Sequence, residues 1–187
     1  MTLLLHACCA PCLGGAYPAF SQDHHDILAF WENPNIHPFL EYKARLESFQ
    51  AFVQTKNISA VYGNSEYGLD KFLLTLNGDF GSSRCAVCFE IRLKSAAQKA
   101  LELACEAFSS TLLISPYQNH ELILSTAARV SKNLEIPFFY KDVRGMFKDT
   151  FALARENYLY RQKYCGCVFS ERDRFIQRKA VQAGRRL

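Results

Sequence analysis

The sequence Leu3-Leu4-Leu5-His6-Ala7-Cys8-Cys9-Ala10-Pro11-Cys12 lies near the start of the chain and sets its fold class. The three leucines form a short apolar run that is typical of a buried strand, and cysteines follow where that strand ends. In parallel α/β sheets, ligands bind beyond the carboxyl ends of the strands, and nucleotide-binding proteins place a phosphate loop after the first strand. Cysteines occupy that position here. The pattern therefore predicts sulfur chemistry where phosphate binding is usual.

Short apolar runs and helical patterns alternate along the rest of the chain. Four further runs predict strands: 27–31, 58–62, 108–114 and 137–140. Helical spacing of apolar residues predicts helices at 38–53, 85–107 and 119–132, with a mostly helical remainder from 148 onward. This alternation predicts an α/β fold, with one Rossmann-like parallel sheet of about five strands and helices on both faces. We expect a single catalytic domain over residues 1–187, with a basic helical segment at about 168–187.

Composition restricts the class of protein. The 187 residues suffice for one domain, and 49% hydrophobic with 21% charged residues is ordinary for a globular chain. No charged leader precedes the first cysteines, and no apolar run approaches the roughly 20 residues that cross a bilayer. We therefore expect a cytoplasmic protein with no membrane association, and a monomer. Much of the basic excess lies near the C-terminus: Arg172, Arg174, Arg178, Lys179, Arg185 and Arg186. Such a run is either a solvated helix face or a nucleic-acid contact.

Seven of the eight cysteines fall in three local patterns. These are Cys8-Cys9-x-x-Cys12, Cys85-x-x-Cys88 and Cys165-x-Cys167. In a reducing compartment, clustered cysteines are more often metal ligands or catalysts than structural disulfides. The spacing of Cys85 and Cys88 puts both thiols on one face of a helix, close to an N-terminus that favours thiolates. The three patterns predict one shared site. Cys105 stands apart among apolar residues, and we expect it to be a small core residue.

Two kinds of metal suit such a site. Zinc takes a closed tetrahedral set of four ligands, and a structural zinc site with a few incidental cysteines is one interpretation. Seven clustered cysteines exceed one zinc site, whereas a [4Fe–4S] cluster takes four thiolates from dispersed positions and suits electron transfer. The remaining three cysteines would hold a second metal or form a redox-active disulfide pair.

Several polar residues lie near the predicted carboxyl edge of the sheet. His6 ends the first strand and either touches the site or is a satisfied buried histidine. Asn119 and His120 follow the fourth strand, where they either contact substrate or begin a helix. Tyr160-Arg161-Gln162-x-Tyr164 leads into Cys165 and provides a density of hydrogen-bond donors that favours a functional role.

These residues together resemble the epoxyqueuosine reductase family of the QueH type. The resemblance rests on five blocks: 6–12, 33–38, Arg84-Cys85-x-x-Cys88-Phe89, Ser115-Pro116-Tyr117-x-Asn119-His120, and 160–171 with Tyr160-Arg161-Gln162-x-Tyr164-Cys165-Gly166-Cys167. The blocks occur in family order and cover nearly the whole chain. The resemblance implies a fold of the adenine-nucleotide alpha-hydrolase-like type. It also implies the last step of queuosine synthesis, in which the epoxide oxygen of epoxyqueuosine is removed at the wobble position of a tRNA.

The resemblance also implies a cofactor and partners. Family members resemble iron–sulfur enzymes, with a second metal held beside the cluster by further thiolates and, in some members, an aspartate. Asp70 is the candidate aspartate by region, although the stretch Gly78–Ser83 is shorter and less acidic than the family pattern. The reaction needs a proton donor, for which Tyr164 and His120 are candidates, and an external electron donor. A tRNA substrate would give the basic C-terminal helix phosphates to contact.

Two other functions compete with this interpretation. A cluster-dependent tRNA sulfur transferase would need a glycine-rich phosphate loop after the first strand to activate substrate with ATP, and Gly14-Gly15 falls after the cysteines instead. A non-catalytic, zinc-stabilised RNA-binding module would need only the structural metal.

Overall fold

The computed structural model of the chain describes residues 2–23, 26–64 and 66–184, with side chains described as far as residue 176. The strands are β1 (Thr2–His6), β2 (Asp26–Trp31), β3 (Ala60–Tyr62) and β4 (Ala107–Ser110). The α-helices are α1 (Ala10–Phe20), α2 (Phe39–Thr55), α3 (Leu69–Leu76), α4 (Arg84–Glu102), α5 (His120–Leu134), α6 (Asp149–Glu156) and α7 (Val168–Gly184). Short 3-10 helices span Thr111–Ile114 and Arg144–Lys148.

The sheet is parallel throughout and has the strand order β3-β2-β1-β4. Strand β1 lies between β2 and β4, and helices flank the sheet, so Leu3, Leu4 and Leu5 are fully buried. A strand covered on both faces requires such a continuous apolar run. At its carboxyl end, His6 lies beside Phe30 of β2 and Ser110 of β4. The α/β class and the parallel sheet are thus confirmed.

The structure corrects the predicted strands and one helix. Residues 137–140 make only an isolated parallel bridge, from Phe138 to Phe108, so the fifth strand is not confirmed. The strand expected at 108–114 ends at Ser110, because the Ser110 hydroxyl accepts a 3.1 Å hydrogen bond from the amide of Leu112 and caps a 3-10 helix. The helix expected at 85–107 ends at Glu102, and buried Cys105 lies in the turn before β4.

The basic C-terminal segment is helical where it is described. Helix α7 extends from Val168 to Gly184, whereas Arg185 and Arg186 lie outside the described residues. Arg172 in this helix is exposed and pairs with Asp173. No helix among the described residues is long and apolar enough to cross a membrane.

Gly14 and Gly15 are packing residues inside α1. A Cβ atom on Gly14 would lie 2.7 Å from Phe52 and 2.8 Å from Leu153, and one on Gly15 would lie 2.7 Å from Thr150. Both glycines are buried, and they allow α1 to approach α2 and α6 closely. They do not form a phosphate loop.

Candidate metal centre

The first cysteine group consists of Cys8, Cys9 and Cys12. It follows β1 directly and begins α1, with Cys9 as the N-cap residue whose sulfur accepts a 3.4 Å hydrogen bond from the amide of Cys12. The three Sγ atoms lie within 4.8 Å of one another, and those of Cys8 and Cys9 are 4.0 Å apart. A tetrahedral ion with metal–sulfur bonds of about 2.3 Å holds its sulfurs about 3.8 Å apart. The spacing therefore suits ligands of one metal centre.

The first residue of the 3-10 helix after β4, Thr111, fixes the first of these thiols. The amide of Cys8 donates a 3.0 Å hydrogen bond to the Thr111 hydroxyl, which in turn donates to the Cys8 sulfur at 3.3 Å. Hydrogen bonds from Cys12 and Cys9, and then the charge of Arg92, hold the pKa of the Cys8 thiol well below its usual range. Burial raises the pKa of Cys9 to about 12. Within the group, Cys8 is thus the favoured thiolate.

The second cysteine group consists of Cys85, Cys88, Cys165 and Cys167. Cys85 and Cys88 lie in the first turn of α4, as their spacing predicts. Cys88 and Cys167 share a small apolar cluster with Phe72 and Leu76. Burial raises the pKa of Cys88 to about 12, and the nearby charges of Cys165 and Cys167 act in the same direction. The charges of Cys165 and Cys167 also add to burial in raising the pKa of Cys85, and a bound cation would offset that effect. Among the described residues, the sulfurs that lie within 4.8 Å of one another as a set of three are those of Cys8, Cys9 and Cys12.

Two glutamines connect the cysteine groups to their surroundings. Gln162 Nε2 donates a 3.3 Å hydrogen bond to the Cys9 sulfur, and Gln118 Nε2 donates a 3.1 Å hydrogen bond to the Cys165 sulfur. Gln162 thus joins the segment that carries the last two cysteines to the first cysteine group. All eight cysteines are free thiols, and seven of them lie in these two groups.

Arg92 is a functional candidate that the sequence interpretation missed. It lies one turn after Cys88 on α4, is 2% exposed, and donates a 3.0 Å hydrogen bond to Asn33 Oδ1. The Asn33 side chain donates in turn to the carbonyl of Ala7, the residue before Cys8. The pKa of Cys8 is lowered mainly by hydrogen bonds from neighbouring thiols, and the pKa of Cys88 is raised mainly by burial. In both cases the Arg92 charge acts to lower the pKa. Its position on the apolar face of α4, four residues after Cys88, was the available signal.

Arg92 has no carboxylate partner in the described part of the chain. Its Nε atom is buried without a hydrogen bond to any described residue. An uncompensated buried charge costs several kcal/mol, so an anionic group is needed close by. Metal-bound thiolates would supply that negative charge, and the donor set therefore fits a metal centre.

A second buried arginine holds the Cys165–Cys167 loop. Arg45 donates 2.9 Å and 3.0 Å hydrogen bonds to the carbonyls of Cys165 and Tyr164. It pairs with Glu41 at 2.7 Å, and Glu41 also accepts a hydrogen bond from the Tyr160 hydroxyl. These contacts define a clamp made of Glu41, Arg45 and Tyr160. Glu41 and Arg45 have the i, i+4 spacing of a helical ion pair, which by itself does not distinguish a buried pair from an exposed one.

The structure places the predicted polar residues in different surroundings. His6 is fully buried between Ser110 and the Glu32 carbonyl, at 2.9 Å and 3.2 Å, and burial lowers its pKa to about 3. Asn119 is exposed and caps α5 through a 3.0 Å bond from the amide of Leu122. His120 follows it, and its Nε2 lies 3.2 Å from the Tyr140 hydroxyl.

The remaining candidates lie on either side of the site. The Tyr164 hydroxyl donates to the His37 carbonyl at 2.7 Å, and burial raises the pKa of Tyr164. Arg161 is exposed, and its guanidinium lies 4.3 Å from the ring centre of Phe151. Asp70 is exposed in the first turn of α3, where its charge adds to burial in raising the pKa of Tyr67. No contact joins Asp70 to a cysteine among the described residues.

The fold and the site together define a parallel α/β protein with a cysteine-rich site, suited to a metal, at the carboxyl edge of its sheet. The chain belongs to the epoxyqueuosine reductase QueH family, whose sequence model matches residues 3–173. The epoxyqueuosine reductase QueH of Dehalococcoides mccartyi is 35% identical over 173 residues, which cover 92% of this chain and 94% of that protein. The protein of the same name from Thermotoga maritima is 34% identical and covers 92% of each chain. The one from Helicobacter pylori is 39% identical, and this chain spans 49% of its length.

Proposed function

We propose that this chain is an epoxyqueuosine reductase, which converts epoxyqueuosine at the wobble position of a tRNA into queuosine. The observation that carries the proposal is the gathering of seven cysteines into two adjoining groups, in a chain that the family model matches over 171 of its 187 residues. Removal of the epoxide oxygen breaks two carbon–oxygen bonds and forms an alkene. It consumes two electrons and two protons and releases water.

We propose that the seven cysteines hold an iron–sulfur centre, made of a [4Fe–4S] cluster and a second iron beside it. The number of thiols supports this assignment, because seven exceed the four ligands of one tetrahedral ion. Asp70 is the carboxylate that we include among candidate ligands of the second iron. When bound, the cluster supplies electrons one at a time, and the second iron supplies a Lewis acid. The electrons come from an external donor.

The chain supplies protons from two candidate groups. His120 carries one ring nitrogen beside the Tyr140 hydroxyl, while its Nδ1 is buried and has no hydrogen-bond partner among the described residues. The Tyr164 hydroxyl is held by the His37 carbonyl, and its raised pKa keeps it protonated at neutral pH. A group that protonates the departing oxygen must hold its proton at the working pH and then release it. Both side chains hold a proton, at His120 Nε2 or Nδ1 and at the Tyr164 hydroxyl.

Substrate binding is proposed for His6, Asn119, Arg161 and Gln162. Arg161 and Asn119 are exposed and available to the RNA, whereas Gln162 reaches the site through Cys9. His6 is buried two residues before Cys8 and would act by supporting the loop that carries this cysteine. Basic residues of α7 would contact phosphates without sequence preference. We place the activity in the cytoplasm, on a monomeric enzyme.

The test is an anaerobic preparation whose iron content, visible spectrum and activity are measured together. Reductant and tRNA carrying epoxyqueuosine are added, and nucleoside mass spectrometry reports the loss of one oxygen atom. Cys88→Ser removes a proposed ligand, and Cys105→Ser is the matched control because Cys105 is buried outside both groups. We expect iron and turnover in the wild type and in Cys105→Ser, and a loss of both in Cys88→Ser.

The same measurement separates the competing functions. A colourless, zinc-loaded protein that leaves the nucleoside unchanged after cluster reconstitution would indicate an RNA-binding module instead. The tRNA sulfur transferase is disfavoured by the buried Gly14 and Gly15, which pack against neighbouring helices and leave no glycine loop for ATP phosphates.

A further inference from the structure

Three aromatic rings and a guanidinium form a continuous row at the surface. Tyr117 is 85% exposed, and its ring meets Phe147 edge to face with centres 5.5 Å apart. Phe147 meets Phe151 in the same way at 5.2 Å, and the Arg161 guanidinium lies 4.3 Å from the centre of the Phe151 ring. We name these four residues the stacking platform.

The stacking platform borders both cysteine groups. At one end, Tyr117 precedes Gln118, whose side chain donates to the Cys165 sulfur at 3.1 Å. At the other end, Arg161 precedes Gln162, whose side chain donates to the Cys9 sulfur at 3.3 Å. The segments that carry the two ends of the platform therefore also carry the side chains that contact the two cysteine groups.

The stacking platform has the chemistry of a surface that binds single-stranded nucleic acid. Aromatic faces stack on bases of any sequence, and an arginine held over a ring adds a positive charge for the backbone. Residues 144–163, which carry three of the four platform residues, contain five basic and two acidic side chains. An apolar protein partner would not need that excess of positive charge.

We propose that the stacking platform holds the bases adjacent to the modified nucleotide, and so presents that nucleotide to the cysteine site. This inference rests on the proposed function, which supplies an RNA loop with unpaired bases. Tyr117 is the most exposed ring and makes the largest new contact, while Phe147 supports Tyr117 and Phe151 supports Phe147. Arg161 contacts the phosphate that follows the stacked base.

The test uses a fluorescent anticodon stem–loop that carries epoxyqueuosine, with Kd measured by anisotropy and kcat and KM measured by nucleoside mass spectrometry. Loss of one stacking partner is expected to weaken binding about tenfold, so Tyr117→Ala should raise Kd and KM by about that factor. The kcat at saturation and the iron content should stay within about twofold of the wild type. Tyr117→Phe keeps the ring and should bind as the wild type does.

Tyr158→Ala is the matched control, because Tyr158 is 96% exposed and lies outside the platform. An unchanged Kd in Tyr117→Ala would contradict the proposed role of the platform, and so would an equal increase of Kd in Tyr158→Ala. A protein partner would then be the alternative occupant. The proposed function is judged separately by wild-type turnover. If the wild type reduces the nucleoside while Tyr117→Ala binds normally, the reaction stands and the platform is wrong. If the wild type binds without turnover and Tyr117→Ala binds weakly, the platform stands and the reaction is wrong.

Discussion

Gln162 donates a hydrogen bond through Nε2 to the sulfur of Cys9, at 3.3 Å, although 153 residues separate the two in sequence. This contact brings the segment before Cys165 back over the start of α1. The first cysteine group therefore lies close to the segment that leads into the last two cysteines. An amide N–H that points at a metal-bound sulfur also stabilises negative charge on it, and such hydrogen bonds help to set the potential of iron–sulfur centres.

Gln162→Leu removes that donor while keeping a side chain of similar size. We expect the variant to retain iron, to shift the reduction potential of the centre downward, and to lose kcat with little change in KM. Redox titration followed by the visible spectrum measures the first effect, and steady-state kinetics the second. A raised KM with an unchanged potential would instead show that Gln162 acts on the substrate alone.

Arg45→Met breaks the clamp at its centre. The ion pair with Glu41 is buried, at 2% and 8% exposure, so the substitution leaves a buried carboxylate without its partner. We expect a loss of about 3–5 kcal/mol in the free energy of unfolding, measured by denaturant titration. We also expect lower iron occupancy, because Arg45 holds the carbonyls of Tyr164 and Cys165.

Helix α2 provides the control for the clamp. Lys43 and Glu47 form a pair with the same i, i+4 spacing at 56% and 62% exposure. Exposed pairs contribute about 0–1 kcal/mol, so Lys43→Met should leave stability and iron content nearly unchanged. Equal losses of stability and iron in Arg45→Met and Lys43→Met would mean that burial of the Arg45–Glu41 pair does not determine its contribution.

The sequence predicted the parallel sheet and the cysteine site because both depend on local patterns. The leucines of β1 form a continuous apolar run, and Cys85 and Cys88 have the i, i+3 spacing that puts two side chains on one face of a helix. The fifth strand is not confirmed, for a physical reason. Residues 137–140 are apolar enough for a strand, but beside β4 they make a single bridge through Phe138, which no local pattern reveals.

The two buried arginines could not be predicted in the same way. In the sequence, Arg45 and Arg92 each lie on a helix with other charged residues, where an arginine is usually exposed. Their burial follows from tertiary contacts, with the carbonyls of Tyr164 and Cys165 for Arg45 and with Asn33 for Arg92. Such contacts join segments up to 120 residues apart. The position of Arg92 four residues after Cys88 was a signal in the sequence, but the contacts that bury either arginine become visible only once the chain is folded.

Stability should fall as the pH is lowered through the range that protonates buried histidines. Burial lowers the pKa of His37 to about 4 from its ordinary 6.5, so the folded state binds fewer protons than the unfolded state between these values. His37 therefore contributes stability that is complete above pH 6.5 and is lost progressively as the pH falls towards 4, by up to about 1.4 kcal/mol per pH unit. Denaturant titrations of the metal-free protein at pH 7, 6 and 5 measure this loss.

His37→Gln tests the assignment of that pH dependence. Glutamine keeps a donor for the Pro34 carbonyl, which His37 Nε2 contacts at 2.9 Å, and it does not titrate. We expect the stability of the variant to fall less steeply between pH 7 and 5 than that of the wild type. Buried His6 has the same sign of effect and remains in the variant, so the slope should decrease without vanishing. An identical slope in the two proteins would contradict the assignment.

Arg92 gives a prediction that depends on the metal. In the metal-free protein, Cys8 is the nearby thiol whose pKa is lowered, whereas a bound metal would also hold Cys88 as a thiolate beside the guanidinium. Arg92→Met removes the hydrogen bond to buried Asn33 in both forms, so it should lower the stability of the metal-free protein by about 1–3 kcal/mol. The loaded protein should lose more, with weaker metal retention against a chelator. Its reduction potential should fall by about 60 mV, which is a tenfold change in the equilibrium constant of a one-electron step. Arg129→Met removes an exposed arginine paired with Glu90 and should change neither property. Equal destabilisation of the metal-free and loaded proteins by Arg92→Met would mean that the guanidinium contributes packing alone. A guanidinium that acts as counterion to the metal centre must instead affect the loaded protein differently from the metal-free one.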